Sequence, residues 1–215
     1  FELKYIAPKT DNQKKVFDLY NEGKNLFLYG CPGSGKTLLP IYLGLKDMLE
    51  EDAYEKIILI RNNETTKECG FLPGDVKQKF EVFERAFKGQ INFLFGRDDA
   101  WEILEKKNIL QFENTSFLRG ITYSNCLIIA DECQNYSMQE YSTIITRLDS
   151  TSRIIFCGDY GQTDLNLKKD PSGFNDFLKI ANLMEEFAMV EFTVDDIVRS
   201  DIVKSFIVAK LKLGL

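Results

Sequence analysis

The chain has 215 residues, 44% of them hydrophobic, and a formal net charge of −6. This length and apolar content suit one domain spanning 1–215 and argue against disorder. Because the net charge is negative, any contact with nucleic acid is expected to be local, in a groove or in the lumen of a ring. Histidine is absent and the five cysteines include no C-x-x-C pair, which excludes histidine chemistry and argues against a zinc site. No apolar run reaches the ~18 residues of a membrane helix, so a cytoplasmic protein is expected.

Hydrophobic periodicity predicts helices and strands in alternation along the chain. Helices are predicted at 11–22, 37–50, 75–95, 98–106, 137–148, 173–186 and 200–212, and strands at 25–29, 56–60, 109–113, 125–130, 153–157 and 188–193. This order is typical of an α/β fold with a mainly parallel sheet flanked by helices. The charged stretch 75–106 is expected to form a small helical insertion. The apolar side chains of the last helix, such as Ile202 and Phe206, are expected to pack in the core rather than at a subunit interface.

A glycine-rich turn follows the first predicted strand and matches G-x-x-x-x-G-K-[ST] in full. It consists of Gly30, Cys31, Pro32, Gly33, Ser34, Gly35, Lys36 and Thr37, called the phosphate loop below. Glycines let consecutive backbone N–H groups face one point, at which the positive end of the next helix also aims. Lys36 adds a charge for the β- and γ-phosphates, and the Thr37 hydroxyl is a ligand for Mg²⁺. The motif therefore predicts a site for ATP with Mg²⁺.

Two adjacent carboxylates, Asp131 and Glu132, end the apolar strand predicted at 125–130. Acidic pairs after a strand are common, but in a chain with a phosphate loop they acquire specific roles. Asp131 is expected to hold Mg²⁺ through water, and Glu132 to orient or deprotonate the water that attacks the γ-phosphate. The pair therefore predicts hydrolysis rather than nucleotide binding alone.

A third polar element follows the next strand, at 158–162. Because the carboxyl ends of parallel strands converge on one crevice, a side chain there can touch both the γ-phosphate and the water. This sensing role is assigned to Gln162, with Asp159 supporting it; the alternative is a turn that merely uses Gly and Asp. Gln134 extends the acidic pair to D-E-x-Q.

These motifs resemble the PhoH-like family of phosphate-starvation-inducible ATPases, whose core is similar to that of superfamily 1 helicases. Nearly the whole chain carries the resemblance, in order. The segments are 12–13, 30–37, Arg61, 70–75, 117–122, 131–135, 146–147, 158–165, 172–173 and 196–199. The G-F-L-P-G-D sequence at 70–75 is the most diagnostic, because no general rule for phosphate loops demands it.

The resemblance implies a P-loop NTPase with a RecA-like sheet, in which Gln13 reads the adenine edge and Arg199 acts as an arginine finger. It also implies RNA-directed activity, described in the family as helicase-like or nuclease-linked. The chain departs from the family pattern at Cys31, Pro32 and Cys133, and Ile121 stands where relatives often carry an arginine. If that segment touches nucleic acid, the contact is weaker here. Such departures suit a viral or phage copy in a bacterial host.

A lone domain raises the question of where the arginine finger comes from. Either Arg199 folds back onto its own site or it reaches a neighbouring subunit, and Arg147 is a second candidate. The alternative for Arg199 is a surface pair with Asp195 or Asp196. A finger supplied in trans needs a head-to-tail contact, which closes into a ring. We therefore expect a homo-oligomeric ring, most simply a hexamer.

Several functions remain open from the sequence. The first is a motor acting on RNA or single-stranded nucleic acid, which the D-E-x-Q and G-D-x-x-Q motifs favour. The second is a non-motor ATPase that acts as a switch or assembly factor, which the acidic charge favours. A small-molecule kinase is a weaker alternative, because kinases seldom need Glu132 to activate water. A ribonuclease function has no site that the sequence identifies.

Overall fold

A six-stranded sheet in the order β3-β2-β4-β5-β1-β6 forms the centre of the protein. The computed structural model describes residues 2–62, 76–118, 120, 122–159 and 173–213. The strands are β1 (Asn25–Gly30), β2 (Lys56–Arg61), β3 (Leu110–Asn114), β4 (Cys126–Ala130), β5 (Arg153–Gly158) and β6 (Phe187–Phe192). Every pairing between these strands is parallel, which confirms the predicted sheet.

Helices cover both faces of this sheet. They are α1 (Asp11–Asn21), α2 (Leu38–Glu50), α3 (Val76–Phe95), α4 (Ala100–Lys106), α5 (Met138–Ile145), α6 (Phe174–Ala181) and α7 (Asp201–Lys212). Short 3₁₀ turns lie at Thr115–Phe117, Cys133–Asn135 and Val194–Asp196. Among the described residues, no helix has both the length and the apolar character needed to cross a bilayer.

The apolar core has two halves, one on each face of the sheet. Side chains of α1 to α4, among them Val16, Leu43 and Phe87, bury one face. Side chains of α5 and α6, among them Tyr141 and Phe177, bury the other. β4 is buried along its whole length, because a parallel strand covered on both faces has no solvent side to alternate toward.

The segment predicted as a helical insertion is part of the core. In α3, Phe87, Ile91 and Leu94 are fully buried, so this helix packs on the sheet instead of projecting from it. The prediction of core packing for the last helix is wrong. Ile202 is 78% exposed, Phe206 is 68% exposed, and no residue of α7 is buried. The reason is that α1 to α6 already cover the apolar faces of the sheet.

Candidate nucleotide site

The phosphate loop leaves the end of β1 and turns through three glycines with positive φ. These are Gly30 (+116°), Gly33 (+76°) and Gly35 (+89°), a region that residues with a Cβ rarely adopt. Gly30 has a second constraint, because a Cβ there would lie 2.1 Å from the carbonyl oxygen of Phe192. That same oxygen accepts the N–H of Cys31 at 2.9 Å. The end of β6 therefore fixes the start of the loop.

Lys36 points into the loop and is almost fully buried. Its ammonium donates to the carbonyl of Gly30 at 3.1 Å and to Ser34 Oγ at 3.2 Å, and it also contacts the carbonyl of Cys31. A salt bridge of 2.8 Å joins it to Asp159, in the loop after β5. The side chain is thus centred in the loop, where a phosphate group would meet its charge.

The structure brings the predicted metal ligands together. Asp131 follows the last residue of β4, and its Oδ1 accepts the Thr37 hydroxyl at 2.7 Å. The carboxylate is buried, and Tyr136 supports the residue by donating to the backbone carbonyl of Asp131 at 2.9 Å. The phosphate loop and the end of β4 therefore meet directly, although β5 lies between β1 and β4 in the sheet.

Glu132 is next in the chain and has a left-handed backbone, with φ +54° and ψ +35°. Its Oε2 accepts the side-chain amide of Gln134 at 2.7 Å, and the same amide's Oε1 accepts the Asp159 N–H at 3.0 Å. Burial raises the pKa of Glu132, and the nearby Asp131 raises it further, while Gln134 and Arg61 oppose the shift. The D-E-x-Q motif thus joins the two acidic loops into one network.

Arg61 is a member of this network that motif analysis left without a role. It is the last residue of β2, and its Nη2 lies 2.5 Å from Asp131 Oδ2 and 3.3 Å from Glu132 Oε1. Its guanidinium also lies over the ring of Phe87, 5.3 Å from the centroid. The sequence places Arg61 at the end of a predicted strand, but its contact with the acidic pair could be predicted only from the order of the strands in the sheet. Because Ile60 pairs with Ala130 in the sheet, the residues that follow them become neighbours.

Arg199 lies against the phosphate loop of its own chain. A Cβ at Gly33 would be 2.9 Å from Arg199 Cγ, and the N–H of Val198 donates to the Gly33 carbonyl at 3.1 Å. The carboxylate of Asp196, one of the two alternative partners of Arg199, accepts hydrogen bonds from the Asn12 amide and the Thr193 N–H. Arg147 does not line the site: it follows α5, and its backbone carbonyl accepts the N–H of Tyr123, a residue ahead of β4, at 2.8 Å.

Gln13 lies in α1 beneath the phosphate loop, with 3% of its surface exposed. Its Nε2 donates to the carbonyl of Ser34 at 2.8 Å, and its Oε1 accepts the N–H of Lys9 at 2.7 Å. Both ends of the amide therefore contact backbone, so that in this geometry Gln13 supports the loop. Gln162, together with 63–75, Arg119, Ile121 and 160–172, lies outside the described residues.

A cavity of about 640 Å³ connects these groups, a volume typical of small-molecule sites. Phosphate-loop residues, the two carboxylates, Asp159 and Arg199 line it. The N-terminal segment, with Ile6, Ala7 and Lys9, and one face of α3 line the same cavity. The predicted phosphate and metal groups therefore share a single space with room for a larger ligand than a phosphate alone.

The parallel sheet, the glycine-rich loop and the carboxylates that meet it define a P-loop NTPase fold. The chain belongs to the PhoH-like family, whose model, described as PhoH-like protein, matches residues 5–210. It is 30% identical over 201 residues to a PhoH-like protein of Bacillus subtilis, covering 91% of this chain and 61% of the relative. It is 28% identical over 195 residues to protein PhoH of Escherichia coli, a match that covers 90% of this chain and 55% of that relative.

The chain and its relatives differ in length. The chain spans 61% and 55% of the lengths of those two bacterial relatives. Among solved structures, the large terminase from a thermophilic bacteriophage superposes with a TM-score of 0.55 at 13% identity. That match covers 93% of this chain and 50% of the terminase, and it supports the fold.

Proposed function

We propose that this chain hydrolyses ATP in the presence of Mg²⁺ and that hydrolysis drives the rearrangement of RNA or another single-stranded nucleic acid. The observation that carries the hydrolysis is the 2.7 Å contact between Thr37 Oγ1 and Asp131 Oδ1. Through this contact the loop suited to phosphates and the strand end suited to metal and water share one cavity. The PhoH-like family membership supports the same conclusion.

The residues of the cavity have complementary roles in this proposal. The N–H groups of the phosphate loop and the ammonium of Lys36 bind the β- and γ-phosphates, which stabilises the charge that develops during transfer. Glu132 takes a proton from the attacking water, and its raised pKa brings it closer to neutral pH, where a general base is most effective. Gln134 orients the Glu132 carboxylate, and Gln162 is proposed to sense the γ-phosphate.

Mg²⁺ fits the donor atoms that the site offers. Thr37 Oγ1 and Asp131 Oδ1 are hard oxygen ligands within hydrogen-bond distance of each other. Mg²⁺ commonly uses one or two protein ligands together with substrate phosphates, and this pair of oxygens beside the phosphate loop suits that pattern. When bound, the ion neutralises charge between the β- and γ-phosphates.

We propose that Arg199 acts in cis as the arginine finger. Its side chain lies on Gly33 of the same chain and lines the same cavity as Lys36. A charge supplied there offsets the negative charge on the γ-phosphate without a neighbouring subunit. Arg147 remains the candidate for a contribution in trans, because it does not reach the site of its own chain.

The oligomeric ring, most simply a hexamer, is a separate part of the proposal. The exposed apolar side chains of α7, Ile202 and Phe206, support an interface with a second copy. The second candidate function is a nucleotide-dependent switch or assembly factor without motor activity. The net charge of −6 favours it, because a strongly acidic chain offers few contacts to a phosphate backbone.

One experiment separates these functions. ATP turnover is measured for the wild type, Glu132→Gln and Lys36→Ala, with and without single-stranded RNA, and the mass in solution is determined with each nucleotide. We expect turnover that RNA stimulates, with Glu132→Gln reduced roughly 10²–10⁴-fold. A rate that no nucleic acid changes, with a mass that depends on nucleotide, would favour the switch. Equal turnover by all the variants would show that the ATPase is a contaminant and would end the proposal.

A further inference from the structure

Part of the cavity lining consists of side chains that belong to no phosphate or metal motif. Ala86, Gly89, Gln90 and Phe93 line it from α3. Their spacing of three and four residues places them on one face of the helix, called the α3 wall below. Because these side chains and the phosphate loop line the same cavity, a ligand whose phosphates bind at Lys36 has room to contact this face as well.

The α3 wall is firmly attached to the domain. Phe87 and Ile91, on the adjacent face of the same helix turns, are fully buried in the core. The N-terminal segment crosses the end of the helix, where the N–H of Lys4 donates to the carbonyl of Leu94 at 2.8 Å. The N-terminal segment and α3, which both line the cavity, are therefore joined, so that the wall is a preformed surface.

Gly89 is unfavourable for the helix and leaves space in the cavity. A glycine inside a helix lowers stability by roughly 0.5–1 kcal/mol relative to alanine. In the part of the chain that the structure describes, a Cβ added at Gly89 would meet nothing within 4 Å, so packing there does not require the glycine. Its lack of a side chain leaves room for a flat ligand to approach the helix backbone closely.

Gln90 provides a polar group for this wall. Its Oε1 is shielded from solvent and has no hydrogen-bond partner among the described residues, although the side chain lines the cavity. A shielded acceptor without a partner is costly, so a ligand that donates to it gains the affinity that the free protein lacks. The amide of Gln13 is less available, because both of its ends already contact backbone.

Phe93 completes the wall with an aromatic ring. The side chain is 51% exposed, one helical turn from Gly89, and the Lys4 ammonium lies 4.6 Å from the ring centroid. An open ring beside a flat space and a free acceptor has the chemistry that recognises a heteroaromatic ring with an amino group.

We propose that the α3 wall is the nucleobase subsite: the base packs over Gly89 against Phe93, and its exocyclic amino group donates to Gln90. This inference rests on the proposed function, since it assumes that the phosphate loop binds a nucleoside triphosphate. It assigns base recognition mainly to α3, a helix outside the motifs for phosphate, metal and water.

The test compares ligands with and without a base. Affinities of the wild type, Phe93→Ala, Gly89→Leu and Gln90→Met are measured by calorimetry for Mg²⁺–ATP and for Mg²⁺ with inorganic triphosphate. We expect Phe93→Ala to weaken ATP binding roughly 5- to 150-fold, the range for base–aromatic stacking, and to leave triphosphate binding unchanged. Gly89→Leu should act likewise by filling the space, whereas Gly89→Ala should bind ATP far better than Gly89→Leu.

Gln90 is tested with the purine nucleoside triphosphate that has hydrogen in place of the 6-amino group. The wild type should bind it about 2- to 10-fold more weakly than ATP, and Gln90→Met should bind the two equally. Leu183→Ala, which removes an exposed side chain that does not line the cavity, is the control and should change nothing. Variants of the α3 wall that bind ATP like the wild type, or that lose triphosphate binding equally, would overturn this inference alone. A wild type that binds neither ligand would overturn the proposed function as well.

Discussion

Arg199 and Gly33 of the same chain are in contact: a Cβ at Gly33 would lie 2.9 Å from Arg199 Cγ. The contact is reinforced by the backbone, because Val198 donates its N–H to the Gly33 carbonyl at 3.1 Å. The segment after β6 therefore closes over the phosphate loop from within the chain. From the sequence, the ring was expected because an arginine finger supplied in trans requires a neighbouring subunit. With Arg199 on its own phosphate loop, the arginine finger and the assembly into a ring become independent questions.

The first prediction concerns complementation between variants. If Arg199 acts in cis, Arg199→Ala should lose most ATP turnover, since an arginine finger contributes roughly 10³–10⁵ in rate. A mixture of Arg199→Ala with Lys36→Ala should not recover activity at any ratio, because no chain in it has both groups. Arg97→Ala removes an exposed arginine paired with Asp99 and should keep wild-type turnover. Recovery in the mixture would show that the arginine is shared between subunits.

The second prediction concerns the Thr37 hydroxyl. Thr37→Val keeps the shape of the side chain but removes the oxygen that contacts Asp131 at 2.7 Å. We expect the Mg²⁺ concentration for half-maximal ATP turnover to rise roughly 10- to 100-fold, the effect of one hydrogen bond or ligand to a charged group. Thr37→Ser retains the hydroxyl and should stay close to the wild type. An unchanged Mg²⁺ dependence in Thr37→Val would remove Thr37 from the metal site.

The third prediction concerns the pH dependence of stability. Burial and the nearby Asp131 raise the pKa of Glu132 above its ordinary value of 4.5. The folded state then binds the Glu132 proton more tightly than the unfolded state does. The stability that this proton contributes is fully present below the pKa of the unfolded state, and it is lost as the pH rises through the pKa of the folded state. Glu132→Gln should therefore gain stability over the wild type as the pH rises.

The measurement is thermal unfolding between about pH 4.5 and 8 in the presence of a chelator. For a chain of this size, a change of 1 kcal/mol in the free energy of unfolding shifts Tm by roughly 2–4 °C. Glu185→Gln removes one exposed charge outside the cavity and controls for the change in net charge. A difference between Glu132→Gln and the wild type that shrinks with rising pH would contradict the expected sign.

The fourth prediction compares two glycines with positive φ. Among the described residues, none has an atom within 4 Å of a Cβ added at Gly23 (φ +82°), apart from its chain neighbours. At Gly30 (φ +116°) the added Cβ would be 2.1 Å from the Phe192 carbonyl oxygen. Gly23→Ala should cost only the backbone strain, roughly 1–2 kcal/mol. Gly30→Ala should lower the free energy of unfolding by a further ~1–3 kcal/mol, because the backbone of the loop or of β6 must move to make room for the Cβ. Equal shifts in Tm would show that β6 does not constrain the loop.

Local sequence was sufficient for most of the architecture. The predicted strands agree with the observed ones to within one residue at each end, because runs such as Cys126–Ala130 are apolar throughout and end at polar residues. The α6 prediction was less accurate, since the helix ends at Ala181 rather than near 186. Its end is decided by packing around Ala181, which is buried, and the periodicity of the sequence does not record where that packing stops.

By itself, the sequence determined the phosphate loop, the acidic pair and the parallel sheet, because each depends on short patterns of side chains and on backbone freedom at glycine. Only the tertiary structure decided which distant residues complete the site. Arg61 reaches Asp131 because β2 and β4 are neighbours in register, and Arg199 reaches Gly33 because the segment after β6 returns over the loop. The same is true of α3, which lines the cavity with the α3 wall and is buried in the core along an adjacent face. Contacts of this kind depend on strand order and packing, which arise from the whole chain at once.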